Sequence, residues 1–82
     1  MQKKIYIKNW IARESKPLMR EVLATENPIM TIMTTMLQLA SMLDNLEEGE
    51  TKWVVESKLI VLDNLWQALN EKMAEKMGMG VC

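Results

Sequence analysis

The stretch Thr51–Met77, TKWVVESKLIVLDNLWQALNEKMAEKM, places Val55, Leu59, Leu62, Trp66, Leu69 and Met73 at steps of four, three, four, three and four. That alternation is the heptad spacing of one continuous helical seam. A second apolar line through Val54, Val61, Leu65 and Ala68 widens the face, while Lys58, Asp63, Glu71, Lys72, Glu75 and Lys76 fall largely elsewhere. A face that wide predicts a long helix with two neighbours. Gly49 is read as a positive-φ residue that closes the preceding helix, Thr51 as the N-cap of this one, and Gly78 as its stop.

Upstream, Asn27–Leu43 is a run of 17 residues without a charge. Thr31, Thr34, Thr35, Gln38, Ser41 and Asn45 recur at steps of one, three or four and read as one polar stripe. Almost everything between them is apolar, including Met30, Met33, Met36, Leu37, Leu39 and Leu43, so most of the helix circumference avoids water. A solvated stripe normally carries Lys and Glu, and a stripe of hydroxyls and amides points instead to an interface or a water-lined groove. Pro28 either starts this helix behind an Asn27 cap or kinks a longer one that begins at Pro17.

The short Glu47-Glu48-Gly49-Glu50 connection makes the two long helices antiparallel. The expected fold is therefore all-α: a long antiparallel hairpin spanning 17–77, with helices at about 17–26, 28–48 and 51–77, and a tail at 78–82. An 82-residue chain buries only about 60% of its unfolded surface, so a hairpin of this kind is expected to assemble as a homo-oligomeric helical bundle. The predicted core or oligomer interface comprises Met30, Met33, Leu37, Val55, Leu59, Leu62, Trp66, Leu69 and Met73, with Trp53 and Trp66 as anchors.

Residues 1–16 read as a basic, aromatic arm. Lys4-Ile5-Tyr6-Ile7-Lys8 alternates like a strand, whereas Ile7, Trp10 and Ile11 have helical spacing, which favours an extended arm followed by a short turn opened at Asn9. Such an arm has to lie across its own hairpin or a neighbouring subunit.

The formal net charge of −1 conceals a split. Residues 1–20 carry Lys3, Lys4, Lys8, Arg13, Lys16 and Arg20 against Glu14, a surplus of five positive charges. The rest of the chain carries four cations against ten carboxylates. Cations beside Tyr6 and Trp10 are what phosphate and base recognition use. A small anionic nucleotide, such as a cyclic dinucleotide, fits an intersubunit site made by Lys3, Lys4, Tyr6, Lys8, Trp10 and Arg13 of one arm with Thr34 and Gln38 of another subunit. The competing reading is that the aromatics pack on the hairpin and the lysines are simply solvated. The acidic body disfavours a long nucleic acid as partner.

No His is present, the single cysteine is Cys82, and there is no glycine-rich phosphate loop or paired-cysteine motif, so no enzymatic site, metal site or disulfide framework is expected. The nine methionines can serve as soft copper ligands, but filling irregular helix interfaces is the simpler use, and no cofactor is assigned. Residues 1–8 lack the apolar core of a signal peptide, and the uncharged run is too short and too polar for a confident span, so a cytoplasmic protein without membrane contact is expected. In size, charge split and expected association the chain resembles small helical proteins encoded by phages, a likeness of architecture rather than of motif. The leading expectation is a non-enzymatic homo-oligomer that binds and blocks or scaffolds another protein, such as a host protein. Sequestration of a nucleotide messenger comes second and regulation by nucleic-acid binding third.

Overall fold

A computed structural model describes the backbone of residues 2–76 and the side chains of residues 2–72. The described chain is all-helical, with α1 at Lys3–Leu23, α2 at Pro28–Leu43 and α3 at Glu50–Lys76. The side chain of Met73, together with Met77 and the expected tail at 78–82, lies outside the described residues. Lys3 and Tyr6 near the start of α1 meet Glu56 and Trp53 near the start of α3, so α1 and α3 run in the same direction. The helix between them, α2, is joined to α3 by Asp44–Gly49 and packs against it in the opposite direction. The central element is α3, which packs on both other helices, while α1 and α2 touch each other much less.

Residues 3–16 depart from the extended arm expected of them. They form one helix with residues 17–23, and Pro17 lies inside it rather than at its start. Ile7, Trp10, Glu14, Leu18 and Val22 all turn at least partly inward at steps of three or four, and that period overrides the alternation of the first few residues. A helix also closes its backbone hydrogen bonds internally, which a lone strand cannot do. Pro17 removes the amide that would bond to Arg13, and both residues are exposed, so water can replace the missing donor.

At Pro28 the chain breaks rather than kinks. The Asn27 side chain accepts a 3.2 Å hydrogen bond from the Met30 amide, with Pro28 in the first helical position. Thr25 secures the turn, donating to the Val22 carbonyl at 2.6 Å and accepting from Thr31 Oγ1 at 3.0 Å. The second helix ends at Leu43, five residues before the expected 48. Gly49 does not adopt the left-handed backbone conformation expected of it. Its carbonyl instead accepts from the Trp53 amide at 3.0 Å, so Gly49, not Thr51, stands at the head of α3, and Thr51 is its second residue.

The core joins Val22 of α1, Ile32 and Leu39 of α2, and Val55, Leu62 and Leu65 of α3, with Leu59, Trp66 and Leu69 packed around it. Both apolar lines of α3 are therefore used within one chain. Val61 and Leu65 are buried on the second line, although Ala68 is exposed. The second neighbour that the width of this face demanded is α1.

Candidate functional site

The basic end of α1 is held by a polar cluster at the start of α3. Lys3 Nζ lies 3.1 Å from both carboxylate oxygens of Glu56 and 3.5 Å from Glu48 Oε1. Glu48 Oε1 accepts a 2.6 Å hydrogen bond from Trp53 Nε1–H, and Lys52 Nζ stands 3.6 Å from its other oxygen. The indole hydrogen bond, helped by the charges of Lys3 and Lys52, lowers the pKa of Glu48 below the usual carboxylate value despite some desolvation. Lys3 is raised, chiefly by its hydrogen bond to Glu56; desolvation opposes this, and the charges of Glu48 and Glu56 add to the rise. Tyr6 meets Trp53 edge to face with ring centroids 5.4 Å apart, and Trp10 is only 8% exposed.

Of the arm residues proposed for ligand recognition, Lys3, Tyr6 and Trp10 thus serve to seat α1 on α3. Lys4, Lys8 and Arg13 are exposed on α1, with Arg13 Nε donating to Glu14 at 3.0 Å. Thr34 and Gln38 are exposed on α2. None of the three surface hollows described below is lined by members of both sets.

Two of those hollows follow the crease between helices. One, of about 330 Å³, is lined by Trp10, Glu14, Pro17, Leu18, Glu21 and Lys58. The next, of about 320 Å³, runs past Lys58 to Thr31, Thr35, Leu39 and Leu62. Thr31 and Thr35 face this crease and Thr34, Gln38 and Ser41 face solvent, so the polar stripe of α2 is divided between two environments. Lys58 lines the same hollow as Glu14 and Glu21, a grouping that spacing along the chain could not reveal. The same holds for Lys3 and Glu56, which are 53 residues apart. Glu48, Lys52 and Glu56, by contrast, follow each other at the helical interval of four.

The third hollow differs in chemistry. Met33, Met36, Leu37, Ala40 and Leu59 line about 370 Å³ with no polar side chain among them. It lies where the exposed side of α2 meets Leu59 of α3, and along that side of α2 Met30 is 57%, Met33 47% and Leu37 71% exposed. Those three residues, expected in a core or an interface, lie outside the core of the chain, whereas Val55 and Leu62 are buried in it and Leu59, Trp66 and Leu69 are half-buried around it. No residue of α2 carries a charge. This face can therefore bury apolar area but can offer no ion pair.

Among the described residues, no group of three or more His, Cys, Asp or Glu is placed to hold a metal ion, and no helix is long and apolar enough to cross a membrane. No protein-family model, curated protein or solved structure matches the chain.

Proposed function

We propose that this protein works by docking, as a non-enzymatic helical homo-oligomer that binds and blocks or scaffolds another protein. The observation that carries the reading is the outer face of α2, a charge-free helix whose Met30, Met33 and Leu37 project into solvent around an apolar hollow. A contiguous apolar surface left open on a small domain is costly in water and marks a place of contact. The absence of charge favours a protein surface over a nucleotide, because a phosphate needs cations that α2 lacks. The methionines suit such a face, since an unbranched thioether side chain repacks readily against a partner.

The test is native mass spectrometry of protein purified gently from its expression host. Species made of protein alone, self-associated or with a second protein attached, are the expected result. A retained small molecule of nucleotide size on each subunit would replace docking with sequestration.

A further inference from the structure

We infer that the outer face of α1 is a docking surface for double-stranded nucleic acid, gripping its phosphate backbone without regard to sequence. This surface is distinct from the open face of α2 and opposite to it in chemistry.

Lys4, Lys8, Arg13, Lys16 and Arg20 step by four, five, three and four along α1, and all five are exposed. Folding as a helix, rather than as the expected extended arm, is what gathers them on one side, because Ile7, Trp10, Leu18 and Val22 take the other. The row from Lys4 to Arg20 is about 24 Å long. Among the described residues, Lys4, Lys8, Lys16 and Arg20 have no carboxylate within ion-pairing distance, and Arg13 is bonded through Nε to the neighbouring Glu14. Glu14 and Glu21, the carboxylates of α1, border the crease. Asp44, Glu47, Glu48 and Glu50 gather at the α2–α3 connection, which meets Lys3 at the head of α1, and the row runs away from them. Exposed charges more than about 8 Å apart are largely screened at physiological ionic strength, so a net charge of −1 does not cancel a local row of cations.

The residues around the row select the polyanion. Tyr6 packs edge to face on Trp53 and Trp10 is buried, so neither ring stands among the cations to stack an unpaired base. A single strand therefore gains nothing beyond its phosphates, and a duplex, with one charge per about 1.7 Å of axis, offers more of them. Over the length of the row a duplex carries about 14 phosphates, enough for every cation. The large apolar residues exposed on α1, Ile5 and Leu23, stand near its two ends. The middle of the face holds Asn9 and Ala12, so an acidic protein finds no apolar anchor there. A bilayer finds no apolar stripe to take up, because that side of α1 is already packed on α3 through Trp10 and Val22.

Fluorescence anisotropy of a labelled DNA duplex of about 24 base pairs, titrated with the full chain, tests the inference. Two duplexes of unrelated sequence should bind alike, with Kd about 1 μM at about 50 mM salt, and phosphate contacts from the row should make this about 150- to 500-fold weaker at about 200 mM. Lys8→Gln combined with Lys16→Gln should reduce the slope of log affinity against log salt by about two, at unchanged helical circular dichroism. Thr34→Glu combined with Gln38→Glu changes the net charge equally at exposed positions of α2 and should leave the slope in place. A duplex that is not bound at low salt, a slope unchanged in the lysine variant, or an equal change in both variants would overturn the inference. So would binding as tight to the single strand, to polyglutamate or to phosphatidylserine vesicles at matched charge.

Discussion

Replacing Leu62 with alanine should remove much of the stability of this protein. Leu62 is fully buried on α3, in the cluster that unites Val22 of α1 with Ile32 and Leu39 of α2. Truncating a buried leucine costs about 2.7–5.0 kcal/mol, the larger values arising where the cavity cannot collapse. Here Leu62 also lines the crease hollow of about 320 Å³, through which water can enter and neighbours can relax. The expected loss is therefore near the lower end, about 3 kcal/mol. A domain of this length has roughly 4–12 kcal/mol in all. Urea unfolding followed by circular dichroism at matched low concentration should show the midpoint falling by about 2–3 M, for a slope near 1 kcal/mol per M. Leu37→Ala is the control, because an exposed leucine should cost within about 0.5 kcal/mol when the chain is dilute. Any larger loss at Leu37 should appear only as concentration rises and association contributes. A loss at Leu62 below about 1 kcal/mol, or no larger than that at Leu37 in dilute solution, would refute the assignment of this core.

Pro17→Ala should stabilise the protein by about 2 kcal/mol, or roughly 10 °C in Tm, by restoring a helical hydrogen bond, minus the entropy returned to the unfolded chain. A lower Tm would mean that α1 requires its proline to bring both Trp10 and Val22 onto the core. Asn27→Ala should cost about 1 kcal/mol in thermal unfolding through the lost cap to Met30, and Asn27→Gly only a few tenths; equal costs would argue against the cap. Trp53→Phe removes the indole donor that lowers the Glu48 pKa. A lowered carboxylate stabilises the fold above its unfolded value of about 4.3 and loses that contribution as pH falls through the folded one. The variant should therefore be less stable at neutral pH yet decline less steeply in acid. Parallel stability curves for the two proteins would contradict the role given to Trp53.

Much of the helical architecture was legible along the chain because its causes are local. The four-three spacing of Val55, Leu59, Leu62, Trp66 and Leu69 requires one long helix, and Asn27 before Pro28 carries its own capping chemistry. The width of the apolar face on α3 likewise announced two neighbours. What covers that face was a tertiary matter. Lys4 to Lys8 alternate locally like a strand, and only the burial of Trp10 and Val22 against α3 makes a helix of α1 the better solution. Nor could spacing tell Thr31 and Thr35, which face the crease, from Thr34 and Gln38, which face solvent, because that depends on where α1 crosses. The same is true of Met30, Met33 and Leu37. Their apolar character is written in the sequence, but whether an apolar side chain joins the core or the surface depends on which face of α2 the other helices leave open.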